Sequence, residues 1–422
     1  MHVLVVNTGS SSIKFSIFEV RPSDFAQDPQ CLLDGELSDI GALHAAITVR
    51  STLSPSIAKP RSAVKAAAVE DAVQRVFAAI SGTEMPAVDA VGYRVVHPGP
   101  ELHEHQRVTP AVMRRIEEAA SFAPLHDPVA LKAIHMGIKH FPKVPQFVCF
   151  DSIFHQTMPQ EASIYSIPAR YRDEGVHRYG FHGLSCESIV RQIRTSGTPV
   201  PRRMVVAHLG SGCSVTALID GRSVDTTMGL TPTGGVVMGT RPGDMDPGLF
   251  LYLVRQQPGD ARQAASAAEK MVNHESGMVA LSGLPNDVKQ LRQEAAHGNS
   301  DATLALKVFT RSITKAIGAF SWLMGGLDAL IFAGGIGEND PHSRAEILSG
   351  LQEVGVTLNA ELNENSGAGM QPIHAAGSAT AVFIIPAQED LMIALHVGEM
   401  SEHLPESGNS IEAHPEEHEE QT

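Results

Sequence analysis

Arg94, Asp151, His182 and Arg241 are the residues whose type and setting in the sequence speak most directly of chemistry. Arg94 stands at the end of an apolar run in GYRVVHPG, and Asp151 follows FVCF. His182 lies between glycines in RYGFHGLS, and Arg241 sits in the glycine- and proline-rich MGTRPGDMDPG. Taken singly, each reads as a surface or capping residue. Together, in glycine-rich loops at the ends of strands, they offer cations, an acid and backbone donors that can serve an anion. Phosphoryl transfer needs this kind of set: positive charge and donors around the moving group, a metal on the phosphate donor, an in-line acceptor and little covalent help.

Those residues need elements to place them. Val3 to Val6 is a short aliphatic run, Gly9-Ser10-Ser11-Ser12 is turn chemistry, and Ile13, Phe15 and Ile17 alternate with polar neighbours, so the first 20 residues read as a β-hairpin. The stretch VVAHLGSGCSVTALIDG, from Val205, overlays VLVVNTGSSSIKFSIFE with Gly210-Ser211 on Gly9-Ser10. Two such units about 200 residues apart suit a duplicated domain with a cleft between the halves, where ligand sites are common. Thr109-Pro110 supplies an N-cap and a preset first helical residue for a helix through Ala120. Further strands are expected at 90–96, 146–150, 329–332 and 381–386, with helical stretches at 248–272 and 301–324 and a helix from about Glu389. The strand at 329–332 runs into AGGIGEND, and strand, glycine turn and helix in succession is a phosphate-contact geometry.

At 422 residues, 43% of them hydrophobic, the chain is long enough for two α/β-sized cores. Cys31, Cys149, Cys186 and Cys213 are far apart and form no Cys-x-x-Cys pair, so they read as reduced thiols. No run of about 18 apolar residues occurs, and a strand follows Met1 and His2 without a basic region or cleavage site. A cytoplasmic protein with no membrane partner is expected. The net charge of −15 argues against nucleic acid, and seven glutamates with no Lys or Arg lie in 402–422. Without them the chain carries about −8. Residues 401–422, with His403, His414 and His418, read as a disordered acidic tail.

The chain resembles the acetokinase family of the acetate and sugar kinase, Hsp70 and actin superfamily. The resemblance is carried in order by VLVVNTGSSSIKFSIFE, GYRVVHPG, APLHDP, FDSIFHQTMP, RYGFHGLS, HLGSGCS, DTTMGLTPTGGVVMGTRPGDMDPG, AGGIGEND and IIPAQEDLMIA, over about residues 1–397. It implies an α/β fold of two duplicated actin-like, ribonuclease H-like domains around an inter-domain cleft. The domains expected are 1–151 and 152–385, with a helix over 386–400 returning to the first and the tail from 401. The implied activity is reversible, Mg²⁺-dependent transfer of the ATP γ-phosphoryl group to acetate, giving acetyl phosphate and ADP, with Mn²⁺ as a substitute metal, in a homodimer. A propionate kinase and a pyrophosphate-dependent acetate kinase are the alternatives within this class, and an Hsp70- or actin-like ATP switch is the alternative outside it.

The resemblance also implies roles. Asn7 and Glu389 sit by the metal. Arg94 and Arg241 hold the acceptor carboxylate and the phosphoryl group, for which the guanidinium fork is suited, and His182 donates to the equatorial oxygens with His126 nearby and Asp151 orienting it. Val96, Leu125, Phe181 and Pro232 form an apolar pocket for the methyl group. Lys14, His208, Leu209, Gly210, Ser211, Gly212, Asn286, Asp287, Val288, Lys289, Gly335, Ile336, Gly337, Glu338 and Asn339 face the nucleotide. Two departures fall on that side: Ser211 stands where the family carries an amide in HLGNG, and Lys289 stands near the place of an arginine.

Overall fold

The computed structural model describes residues 1–403 apart from Ser10, 22–27, Leu43, Thr83, Ser121, 123–126 and Ser366. The expectations for Leu125, His126 and the tail beyond His403 lie outside the described residues. The chain divides into two units, Met1–Phe150 with the residues from Asp390 onward, and Asp151–Glu389.

The first unit is built on eight strands: β1 (His2–Thr8), β2 (Ile13–Glu19), β3 (Gln30–Ser38), β4 (Ala46–Ser51), β5 (Lys59–Ala63), β6 (Ala90–Val95), β7 (Gln106–Arg107) and β8 (Gln146–Phe150). They are ordered β5-β4-β3-β2-β1-β6-β8-β7. The expected hairpin is β1 and β2, with Val6 opposite Phe15 and Asn7 opposite Lys14. β6 lies parallel to β1 on its other side, and β8 parallel to β6. Parallel neighbours need crossovers, and helices supply them: Val69–Ala79 before β6, and Pro110–Ala119 and Asp127–His140 before β8. Thr109 caps Pro110–Ala119, its hydroxyl accepting the Val112 N–H at 3.2 Å. Val3, Leu4 and Val5 are fully buried, as befits a central strand covered on both faces. The C-terminal helix Glu389–Glu402 packs on β6 at Gly92, where a Cβ would stand 2.7 Å from Ile393 and Val397 methyls.

The second unit repeats the plan with β9 (Arg203–Leu209), β10 (Cys213–Ile219), β11 (Arg222–Thr226), β12 (Ala329–Ala333), β13 (Gln371–Pro372) and β14 (Ala381–Ile384), ordered β11-β10-β9-β12-β14-β13. β10 and β11 extend one side of β9 as an antiparallel meander, and the parallel strands β12 and β14, followed by the antiparallel β13, extend the other. β3-β2-β1-β6-β8 and β11-β10-β9-β12-β14 are therefore one topology used twice, which is the ribonuclease H-like order implied by the resemblance.

The helical stretch expected at 248–272 is two helices, Pro247–Gln256 and Ala261–His274. Pro258 and Gly259 end the first, and Asp260 restarts the chain with a capping box to Gln263. Helix Ser300–Leu323 and β12 lie within a residue of their expected positions. Among the described residues no helix is long and apolar enough to cross a membrane.

Candidate active site

The second unit gathers most of the expected chemistry at the carboxyl ends of β9 and β12. These strands are parallel neighbours with His208 beside Ala333, so the turns that leave them lie side by side. In open α/β sheets, ligands favour this end of the strands. Gly334 enters its turn at φ +75°, and a Cβ there would lie 2.7 Å from the Leu209 carbonyl oxygen. Only glycine allows the two turns to approach so closely.

Asp151, at the end of β8, is fully buried. Its Oδ2 accepts the His182 backbone N–H at 3.0 Å, and its carbonyl accepts the Gly183 N–H at 2.8 Å. These bonds hold His182 in the left-handed region, at φ 59°, a conformation that costs a non-glycine residue about 1 kcal/mol or more. The imidazole is held separately. Its Nδ1 lies 2.9 Å from the Ser214 hydroxyl, and the ring stacks on His208 at 4.1 Å between centroids. His208 is anchored in turn by the Ser185 hydroxyl at 2.8 Å. Asp151 thus positions His182 through the backbone, and Ser214 and His208 position its ring.

Arg241 faces the same turn. A methyl on Gly212 would touch Arg241 Nη1 at 3.4 Å and His182 Nε2 at 3.5 Å, so the guanidinium and the imidazole face one point of the chain. Arg241 Nη1 donates to the Pro232 carbonyl at 3.0 Å, which brings two expected site residues together. Burial lowers the arginine pKa, yet a guanidinium starts so far above neutrality that it stays charged. The loop is clamped by Met238 N–H donating to the Arg241 carbonyl, and by Gly277, whose φ of +66° brings it against Met238 and Arg241 backbone. Phe181 is buried, and its carbonyl accepts from His155 Nε2 at 3.0 Å. His155 Nδ1 meets Ser223 Oγ at 2.9 Å. Burial pushes the His155 pKa down to about 4, so the ring is neutral and serves as a strut.

A cleft of about 800 Å³ opens beside the two glycine turns. It is lined by Gly210 and Ser211 from the first turn, by Asn286–Lys289, and by Gly335, Ile336 and Asn339 from the second. Three segments far apart in sequence are thereby brought to one cavity. Asn286 Nδ2 donates to Ser211 Oγ at 3.5 Å. Sequence reasoning missed Arg292, Asp340, Pro341 and His342, which also line it. Arg292 is tied to Asp340, Ser343 and Glu346. Some expected contacts are spent on structure. Asp287 caps helix Val288–Ala296 by accepting the Lys289 N–H at 2.8 Å. Leu209 is buried in β9. Glu338 turns Oε1 inward to the Gly334 N–H at 2.9 Å and the Ala387 N–H at 3.2 Å. Glu338 therefore staples the second turn to the segment that leads into Glu389.

In the first unit, Asn7 ends near the top of β1 with Lys14 across from it on β2. Asn7 Nδ2 donates to Asp390 Oδ1 at 3.0 Å, and Ser16 Oγ donates to Asp390 Oδ2 at 2.8 Å. Asp390, next to Glu389, was not singled out from the sequence. Arg94 is half-buried near the end of β6, and Val96 and His97 beyond it are buried. The His97 N–H donates to Asp127 Oδ1 at 3.2 Å, and His97 Nδ1 accepts the Gly99 N–H at 2.9 Å.

Comparison with known proteins gives a consistent result. Residues 2–395 match the model of the acetokinase family. Over 403 residues the chain is 36% identical to the acetate kinase of Halothermothrix orenii, covering 93% of this chain and 98% of that one. The solved acetate kinase of Porphyromonas gingivalis superposes with a TM-score of 0.79 at 30% identity, covering 94% of this chain and 98% of that one. A propionate kinase from Francisella tularensis superposes with 0.82 at 31% identity, covering 93% and 98%. With the duplicated sheet order and the paired glycine turns already in place, these matches over nearly the whole length mean that the chain belongs to the acetokinase family.

Proposed function

We propose that the chain is an acetate kinase that transfers the γ-phosphoryl group of ATP to acetate, reversibly giving acetyl phosphate and ADP. The observation that carries this reading is the meeting of His182 and Arg241 at Gly212, on the turn that also borders the cleft at the carboxyl ends of β9 and β12. An acetate oxygen attacks the γ-phosphorus, the bond from that phosphorus to the bridging oxygen of ADP breaks, and charge spreads over the three equatorial oxygens. Arg241 and His182 supply cation and donor to those oxygens from a preorganised, partly dry setting. From their places in the matching sequence segments, Arg94 is assigned to the acceptor carboxylate, and Val96, Phe181 and Pro232 to its methyl group. The nucleotide occupies the cleft, its phosphates against the two glycine turns. No covalent intermediate on the enzyme is needed, because the acceptor is itself the nucleophile.

Mg²⁺ suits the residues present. Asn7 commits its amide nitrogen to Asp390, which directs the carbonyl end elsewhere, and Glu389 adds a carboxylate. A hard cation that keeps most of its waters takes few such oxygen ligands. Bound by these residues, such an ion would neutralise charge on the phosphates. Domain limits near 1–151 and 152–385 and a cytoplasmic location complete the reading.

Propionate is expected as a slower acceptor, since one methylene is worth only about 1–3 kcal/mol in such a pocket. The test is acyl hydroxamate formation from acetate, propionate and butyrate with ATP or pyrophosphate as donor. Mg²⁺-dependent product from ATP, with acetate preferred, is expected. ATP hydrolysis at a rate indifferent to acetate would sink the carboxylate-kinase reading and leave the switch.

A homodimer is part of the proposal. Helix Pro247–Gln256, PGLFLYLVRQ, is well started, with Asp246 accepting the Gly248 N–H at 2.7 Å, yet none of its residues is buried. Leu249, Leu251 and Tyr252 are 46%, 52% and 56% exposed, apolar side chains around this helix for which a second copy is the proposed cover. Leu251→Glu is expected to convert a dimer to a monomer in sedimentation at micromolar concentration. An unchanged dimer would move the interface elsewhere.

A further inference from the structure

Asp127 is the first residue of helix Asp127–His140, and its side chain is fully buried. Oδ1 accepts the His97 N–H at 3.2 Å, and the Val96 backbone also bonds to the carboxyl. Oδ2 has no hydrogen-bond partner among the described residues. The facing charged and titratable groups, among the described residues, are Arg94 on β6 and His97 in the turn after it. His97 already uses Nδ1 to accept the Gly99 N–H and stacks its ring on Phe122 at 5.2 Å. A carboxyl so placed touches the turn that carries Val96 and senses the charge on Arg94.

We propose that Asp127 is a proton-linked positioning residue for the acceptor: it fixes the Val96–His97 turn, and its carboxyl is neutral whenever the acceptor carboxylate holds Arg94. The inference rests on the reading of Arg94 as the acceptor's cation. An ionised Asp127 competes for Arg94 and repels an incoming carboxylate, whereas a neutral one does neither. Binding and protonation are therefore linked, and each favours the other by the same factor. Burial against water pushes the Asp127 pKa up to about 8, with the two backbone donors and Arg94 opposing the shift. The switch thus falls at mildly alkaline pH. The proton comes from solvent and forms an O–H bond at the carboxyl, most simply on Oδ2.

The test compares wild type with Asp127→Asn, which keeps the shape and an oxygen for the His97 N–H but cannot ionise. In wild type the KM for acetate is expected to rise above about pH 8, approaching tenfold per pH unit, while kcat and the KM for ATP stay level. In Asp127→Asn the acetate KM is expected to stay constant from pH 7 to about pH 9.5. Difference infrared spectra of the intact proteins supply a readout independent of turnover: a protonated carboxyl band lost near pH 8 in wild type, retained to higher pH with saturating acetate, and absent from the variant. An Asp127 band already missing at pH 7 overturns the proposal. So does a wild-type acetate KM independent of pH, which leaves the acceptor reading standing. No acetate phosphorylation together with a band that acetate does not move overturns both.

Discussion

Arg241→Ala is expected to lower kcat at least about 100-fold, with the KM for ATP changed far less. The guanidinium is held by the Pro232 carbonyl in a loop clamped by Gly277 and Met238, so its position is fixed before substrate arrives. A cation fixed in advance costs no reorganisation when charge develops on the phosphoryl oxygens, and in a partly dry site it is worth more than in water. Alanine leaves a water-filled gap there, and water must reorient as the charge moves. Lysine is expected to recover little, because one ammonium cannot both donate to Pro232 and present a planar fork to the phosphoryl group. Steady-state kinetics in both substrates, with a melting curve to show that the variant is folded, decides the matter. Near-normal kcat with only a raised KM for ATP would make Arg241 a nucleotide contact.

Much of this arrangement was legible because it is local. The hairpins at β1–β2 and β9–β10 announce themselves by alternation around Gly-Ser turns, and β12 by a short aliphatic run ending in glycines. His182 and Arg241 stand out because an imidazole or a guanidinium among glycines is a candidate for function. What holds them was not legible. Asn7 meets Asp390 across 383 residues, His182 meets Ser214 across 32, and no periodicity encodes such pairs. The third strands, β3 and β11, were missed for another reason: QCLLDGELS and RSVDT mix charge with short apolar runs and show little alternation. Asp287 and Glu338 stood in nucleotide motifs but spend their carboxylates on a helix cap and a backbone staple. A sequence motif marks a segment, and only packing decides which of its atoms face the ligand.

Arg344 was invisible in the sequence and is expected to matter as much as any residue in the cleft. It lies in helix Pro341–Leu348 and is 1% exposed. Nη1 donates to the Gly337 and Glu338 carbonyls at 2.8 and 3.0 Å, Nε to Asn363 Oδ1 at 2.7 Å, and Nη2 to the Asn363 carbonyl at 2.7 Å. Burial pulls its pKa down to about 10, which still leaves it charged at neutral pH. One buried side chain therefore holds the inner side of the second glycine turn, opposite the face that lines the cleft. Arg344→Met preserves much of the apolar bulk, so its effect reports the hydrogen bonds more than the packing. A buried carbonyl left without a donor costs about 1–3 kcal/mol, and three backbone carbonyls lose theirs. Relief from burying a cation offsets part of that, and a net loss of about 3 kcal/mol is expected. It should appear as faster amide exchange across 334–339 and a KM for ATP raised roughly tenfold, with the KM for acetate unmoved. Lysine, with its charge but without the planar fork, should fall between methionine and wild type. Equal losses for both substrates would mean that Arg344 supports the whole unit and not the phosphate turn.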